Sequence, residues 1–209
     1  MSNNKDQIFR LFSTPVFKTE IDSDICKNTL HEIKKLKEND TGFDHGRNWF
    51  SNDNLHQLDQ FKEITDIINI ALKNVLDFIT IKRSSEYITC MWANSNKVGY
   101  MHPSHTHANS LFSGILYLQC PSGSGSTYFT DPRPAATVFN FEVEDPVAEW
   151  YNVNNWAHPA KENALLIFPS WLQHGVDYSE IQNNEERITL AFNAFLKTDI
   201  NLTTRRLSI

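Results

Sequence analysis

Three histidines crowd into six positions, as His102-Pro103-Ser104-His105-Thr106-His107. Residues i and i+2 of a strand point to the same side, so His105 and His107 can face one point. Neutral imidazole is the commonest metal ligand in proteins. An exposed, ligand-free polar loop explains the cluster taken alone equally well. His102, one step earlier and behind a proline, fits a structural place beside the other two. Far downstream, the apolar run Ile167-Phe168 turns at Pro169-Ser170-Trp171 and is followed by His174. A lone histidine there is ordinary. A paired-histidine motif earlier in the chain gives it weight as a third ligand.

The next chemical feature is Arg187-Ile188-Thr189-Leu190-Ala191-Phe192-Asn193. Period-2 alternation puts Arg187, Thr189, Ala191 and Asn193 on one face and Ile188, Leu190, Phe192 and Ala194 on the other. Both faces are partly apolar, so both should be covered. An arginine buried at the start of such a strand requires an anionic partner. A carboxylate suits it, because the guanidinium fork offers two parallel hydrogen bonds. A hydroxyl two residues on can donate to the same carboxylate. The competing reading is an ordinary salt bridge to Glu185 or Glu186.

The elements that must position these residues differ between the two halves of the chain. Ile25, Leu30, Ile33 and Leu36 recur at helical spacing between Asp22 and Lys37, with Asp22 or Ser23 as the cap. A second helix is predicted from Leu58 to Ile79, where Phe61, Ile64, Ile67, Ile68, Leu72, Val75, Leu76 and Ile79 form one stripe. A polar loop, Asn39 to Asn54, separates them. Beyond residue 84 the period becomes 2. Glu86–Trp92, Ser110–Cys120, Ser126–Thr130, Thr137–Glu142, Ala164–Phe168 and Arg187–Lys197 read as strands divided by Gly-, Pro- and Asn-rich turns. Antiparallel strands in this number suggest a sandwich or barrel with the helices on one outer face. With no repeat and no linker, the 209 residues are expected to form a single domain: a helical part over 22–81 and a β core over about 84–198.

Composition narrows the function classes. Hydrophobic residues make up 40% and aromatics 12%, which excludes a disordered chain. The formal charge is -6 and the pI about 5.7, so general nucleic-acid binding is disfavoured. Cys26, Cys90 and Cys120 are scattered and contain no CxxC pair, the pattern of reduced cytosolic thiols. The polar start, Met1 to Phe9, reads as no secretory signal. Val98 to Thr130 contains no charged Asp, Glu, Lys or Arg, but prolines and glycines break it, so it is expected in the interior and not in a membrane. The expected location is cytoplasmic, or host cytoplasm for a viral protein.

The order HxH, a late His, then Arg-x-Thr on the last strand resembles the Fe(II)/2-oxoglutarate-dependent oxygenases, whose usual pattern is HxD/E…H…RxS/T. The segments LFSTPVF (11–17), HTHANSLFSGILYLQCP (105–121), TYFTDPR (127–133), LLIFPSWLQHGV (165–176) and ERITLAFN (186–193) are similar to a small oxygenase family of phages and marine bacteria, near the prolyl-hydroxylase branch. The resemblance spans essentially the whole chain. It implies a double-stranded β-helix, a cupin-like jelly roll. It also implies a dioxygenase that couples conversion of 2-oxoglutarate to succinate and CO2 with hydroxylation of a peptide or small molecule.

Residue by residue, the resemblance implies His105 as first ligand and His174 as distal ligand of Fe(II). His107 stands where the family pattern has an acid. The favoured set is therefore His105, His107 and His174, with Asp131 as the alternate carboxylate. In a further alternative His107 is the first ligand and water completes the site. Arg187 and Thr189 match the clamp for the distal carboxylate of 2-oxoglutarate. Asn193, Tyr117 and Tyr128 are further cosubstrate-site candidates, and Arg133, Trp92 and Asn109 are substrate-side candidates. The aromatic stretch from about Asn140 to Lys161, with Trp150, Tyr151 and Trp156, is a candidate substrate loop. Two other readings stay open. One is a non-catalytic jelly-roll binder or virion-associated protein. The other is a cupin-like three-histidine dioxygenase, which has no use for an arginine clamp.

Overall fold

The computed structural model describes residues 12–39, 41–133, 155–197, 199–202 and 205–208. Strand β1 (Phe17–Glu20) leads into helix α1 (Ser23–Glu38). The Asp22 side chain caps α1 by accepting from the backbone N–H groups of Asp24 and Ile25 at 2.9 and 3.3 Å. A short hairpin follows, β2 (Phe43–Asp44) and β3 (Asn48–Phe50), inside the stretch expected to be a polar loop. Its strands are too short to show a period, which is why pattern alone misses them. Helix α2 (Lys62–Phe78) starts four residues later than predicted. Two 3-10 turns, Leu55–Gln57 and Asp59–Phe61, occupy the approach.

The β part begins with β4 (Ser85–Asn96), β5 (His102–His105), β6 (Phe112–Gln119) and β7 (Thr127–Thr130). It continues with β8 (Asn155–His158), β9 (Ala164–Pro169), β10 (His174–Val176) and β11 (Arg187–Lys197). A terminal hairpin joins β12 (Asp199–Leu202) and β13 (Arg205–Ser208). The predicted strand Thr137–Glu142, and Trp150 and Tyr151, lie outside the described residues. One sheet has the order β1-β9-β6-β11-β4-β3-β2, and the second β5-β10-β7-β8. All these named pairings are antiparallel. Two facing sheets with helices outside are the predicted jelly-roll layering.

Alternation along β11 decides where the core and the site fall. Ile188, Leu190, Phe192 and Ala194 belong to a cluster with Ile33 of α1 and Ile64, Ile68, Leu72 and Leu76 of α2. The opposite face carries Arg187, Thr189, Ala191 and Asn193 into the space between the sheets, and all eight residues are buried. A second apolar cluster, Tyr117, Phe129, Ala164, Leu166, Phe168 and Leu172, fills one part of that space. Close packing extends into the strands: a Cβ on Gly114 would lie 2.3 Å from the Phe192 ring, so only glycine fits beneath it.

Leu190 sits at the centre of the larger cluster and is fully buried. Leu190→Ala is expected to cost about 2–5 kcal/mol through lost transfer energy and a residual cavity. Urea unfolding checks this as a lower midpoint at unchanged slope.

Candidate metal centre

His105 ends β5, His107 follows in the next turn, and His174 opens β10. Pairing of β10 with β5 sets His174 directly opposite His105. The backbone N–H of His107 is fixed on the carbonyl of Ser170 at 3.0 Å. One ligand atom from each of the three rings lies within 4.8 Å of the other two, and no other such group of three occurs among the described residues. His107 Nε2 and His174 Nε2 are 3.2 Å apart. Glycine at position 175 leaves room for this arrangement, because a Cβ there would meet the Tyr128 ring and hydroxyl at 2.5 and 2.4 Å.

Two of the rings are oriented from behind. His105 Nδ1 lies 3.0 Å from the carbonyl of Pro103, and His174 Nδ1 lies 2.9 Å from that of Leu172. A neutral ring that donates from Nδ1 keeps its Nε2 lone pair free for a cation. The rings are also held neutral. Burial pushes His174 down to about 3, with His105, His107 and His102 adding repulsion against the charged form. Burial pushes His107 down to about 4, helped by His105 and His102. His105 is lowered by burial as well. Three convergent, unprotonated imidazoles with buried backs are a donor set that fits a divalent transition metal.

Asp131 stands outside this cluster. Its carboxylate receives the Arg133 guanidinium at 2.5 Å and the Arg133 backbone N–H at 2.9 Å, so the side chain turns toward its own loop. Arg133, a substrate-side candidate, is exposed and engaged in this pair. Asn109, another, is exposed in a turn with φ 55°. Trp92 is half-buried, with its ring 6.0 Å from that of His107. Trp156 on β8 is half-exposed and stands 5.9 Å from Phe129.

Arg187 is the second component. It is 2% exposed, and among the described residues it has no carboxylate partner. Its contacts are weak and neutral: Asn96 Oδ1 at 3.3 Å, Thr127 Oγ1 at 3.5 Å and the Tyr117 ring at 5.3 Å. Its Nε is buried with no hydrogen-bond acceptor. The neighbouring acid is directed elsewhere. Glu186 carries two contacts from Lys37 Nζ at 2.5 and 2.6 Å and one from Ser95 Oγ at 2.8 Å, on the helix side of the sheet. Burial opposes the charge on Glu186, and these hydrogen bonds overcome it, so its carboxyl titrates below the usual range. The salt-bridge reading of Arg187 therefore fails for Glu186, because alternation sends adjacent side chains to opposite faces.

The surroundings of Arg187 include groups that motif reading missed. Thr127 receives the Tyr117 hydroxyl at 2.7 Å as well as the guanidinium. Asn96 holds its amide orientation through a short hydrogen bond to Asn48. Tyr100 is pushed up to about 12 by burial, with Arg187 near enough to oppose that shift, so its hydroxyl stays protonated. Only the alternation of β7 could have pointed to Thr127. That alternation also moves Tyr128: Thr127 and Phe129 are buried while Tyr128 lies on the other face, over Gly175. Tyr128 is thus misplaced as a cosubstrate-site residue. Thr189 is buried on the same face as Arg187. Asn193, expected with Arg187, instead contacts His107 Nδ1 through Nδ2 at 3.4 Å.

The imidazole cluster and the guanidinium are near neighbours through β7. Thr127 touches Arg187, and Phe129, the next inward residue, packs 6.1 Å from the His174 ring. Two strand positions span about 7 Å, so the two groups lie along the same side of β7.

Residues 90–193 match the family model described as "Putative 2OG-Fe(II) oxygenase". None of the curated proteins matches the chain by sequence. Among solved structures, a Pseudomonas putida prolyl-4-hydroxylase superposes with TM-score 0.60 at 11% identity, over 88% of this chain and 94% of that one. HygX from Streptomyces hygroscopicus, with nickel and 2-oxoglutarate bound, gives 0.61 at 12%, over 87% and 82%. The α-ketoglutarate-dependent epimerase SnoN of nogalamycin biosynthesis gives 0.66 at 12%, over 92% and 80%. At these identities the likeness establishes the fold, a double-stranded β-helix. Among the described residues no helix is long and apolar enough to cross a membrane.

The depressed pKa values give a stability prediction for the metal-free protein. His107 and His174 titrate near 4 and 3 when folded and near ~6.5 when unfolded. Between those values the unfolded chain binds more protons, so stability falls as pH falls. Their contribution is fully present above pH ~6.5 and is lost on descent to about 3–4. Urea midpoints measured from pH 7 to pH 4.5 in chelator should show this decline, and the double variant His107→Phe, His174→Phe should flatten it.

Proposed function

Since residues 90–193 carry a 2OG-Fe(II) oxygenase domain, we propose that the protein is an Fe(II)- and 2-oxoglutarate-dependent dioxygenase that hydroxylates a peptide or small-molecule substrate. The observation that carries this reading is a buried Arg187 with no carboxylate partner among the described residues, beside three convergent imidazoles. Burying a guanidinium without a counter-ion is costly, and a ligand carboxylate relieves that cost. A pure metal-binding module would gain nothing from such a group.

His105, His107 and His174 would hold the iron. When bound, the iron supplies the oxygen chemistry that the protein's own side chains cannot. The balanced reaction is R–H + O2 + 2-oxoglutarate → R–OH + succinate + CO2. Three neutral ligands contribute no charge of their own, so the cosubstrate brings the anionic charge, one carboxylate toward the dication and the other toward Arg187. Arg187, Thr127 and Thr189 bind the carboxylate remote from the imidazoles. Protonated Tyr117 and Tyr100 add neutral hydroxyls around it. Phe129, Phe168 and Leu172 exclude water from the side of His174. Trp92 lines the cleft beside His107, where a substrate group would stack. Both substrate classes are compatible with the fold neighbours, which include a viral collagen prolyl hydroxylase from Paramecium bursaria Chlorella virus-1 and HygX with hygromycin B bound.

Anaerobic addition of Fe(II) and then 2-oxoglutarate should produce a visible charge-transfer band. In Arg187→Ala the lost charge pair costs about 2–5 kcal/mol, so half-saturation should require at least ~30-fold more 2-oxoglutarate while Fe(II) affinity is kept. His174→Ala should lose the iron itself. Metal binding with no band and no response to 2-oxoglutarate would disprove the oxygenase reading.

A further inference from the structure

Asn193 is placed to act on the metal through His107. It lies at a β-bulge: Asn193 pairs with Cys90 and Ala194 with Ile88, which leaves Thr89 as the extra residue. Thr89 Oγ1 donates to the Asn193 carbonyl at 3.1 Å. The amide itself is buried. Its Oδ1 accepts from Ser113 Oγ at 2.7 Å, while Nδ2 faces Cys90 Sγ and His107 Nδ1, each at 3.4 Å. Behind it run two buried hydroxyls, Ser113 and Ser170, and the half-buried Ser110, which also reaches the Phe112 carbonyl at 2.9 Å. Ser113 Oγ and Ser170 Oγ are 2.9 Å apart, Ser170 donates to Ser110 Oγ at 2.8 Å, and Ser110 reaches the Ala194 carbonyl at 3.2 Å.

This orientation is self-consistent without a metal. His174 donates from Nδ1 to Leu172, so its Nε2 is a bare acceptor. If the 3.2 Å approach of His107 Nε2 is a hydrogen bond, the proton sits on that atom. His107 Nδ1 is in turn an acceptor, and the Asn193 Nδ2 donor faces it correctly. A metal at the three Nε2 atoms reverses the requirement. His107 must give up its Nε2 proton and carry one on Nδ1, as His105 and His174 already do toward backbone carbonyls. No net proton is gained or lost by the ring. Two N–H donors would then face each other across 3.4 Å.

We propose that Asn193 is a positioning residue for the metal centre whose side-chain amide turns over on metal binding. After the turn, Oδ1 accepts from His107 Nδ1–H and Nδ2 donates to Ser113 Oγ. The Ser113 hydroxyl swings to Ser170, Ser170 donates to Ser110, and Ser110 to the Ala194 carbonyl. Each of the three hydroxyls keeps an acceptor, and only the amide and the Ser113 hydroxyl rotor move. Ser113, which can donate either to Asn193 or to Ser170, is thus the switch that lets the third ligand change tautomer inside a closed packing. This inference rests on the metal centre of the reading above and not on the reaction that follows.

The test uses Zn(II), a diamagnetic probe, on the full chain. In long-range 1H–15N spectra of the wild type, His107 should be protonated on Nε2 in chelator and on Nδ1 with Zn(II). The Asn193 amide protons should show NOEs to His107 and Cys90 in the first state and to Ser113 in the second. Asn193→Ala should bind Zn(II) about 10–100-fold more weakly. Asn193→Asp, whose oxygens can only accept, should restore most of that loss. An amide that keeps its NOEs to Cys90 on Zn(II) loading, or an Asp variant as weak as Ala, overturns the proposal while leaving the oxygenase reading intact. Failure of the wild type to bind Zn(II) at all overturns the metal centre and this inference together.

Discussion

The cleft is organised around charge that the fold leaves unbalanced. Among the described residues Arg187 is sealed between the sheets with neutral neighbours only, and the one acid beside it in sequence is drawn to the far face by Lys37 and Ser95. Protein interiors rarely keep a cation in this way unless something else supplies the anion. The three imidazoles show the complementary arrangement. Burial keeps them uncharged, and two are backed by carbonyls, so lone pairs point into the same cleft. One end of the site awaits an anion and the other a cation. A metal chelated by a dicarboxylate satisfies both.

Strand β11 lets one segment serve both the packing and the chemistry. Its outward residues lock the helices onto the larger sheet, and its inward residues carry the guanidinium, a hydroxyl and the amide beside His107. Position along the strand sorts the groups: the start carries the guanidinium, and the bulge near Asn193 lies beside His107. A one-residue slip of register would exchange the core for the site, and so both constrain it together.

Much of this was legible in the residues. The long amphipathic stripe of α2 and the alternation of β11 show their faces without any contact information, and the strand Arg187–Lys197 occurs where the period places it. The three histidines converge as their types and motif order imply. What stayed hidden depended on partners remote in sequence. Thr127 looks like any strand threonine until β7 is set beside β11. Asn193 shares a face with Arg187 but is too far along the strand to share its ligand. The short strands β2, β3 and β5 lack the apolar alternation that marks β7, and their existence depends on pairing. Tyr128 was misassigned because one residue of offset in a four-residue strand reverses its direction.

The placement of the imidazoles has a mechanical consequence. Two of them come from β5 and its following turn, at the margin of the smaller sheet, and the third from β10, its neighbour inside that sheet. A border strand of four residues has few ladder bonds and is among the first parts of a fold to fray. A cation gripping both strands acts as a rivet across that border. Ion occupancy and the integrity of the rim thus become one variable, and the empty protein is the form most exposed to proteolytic nicking there.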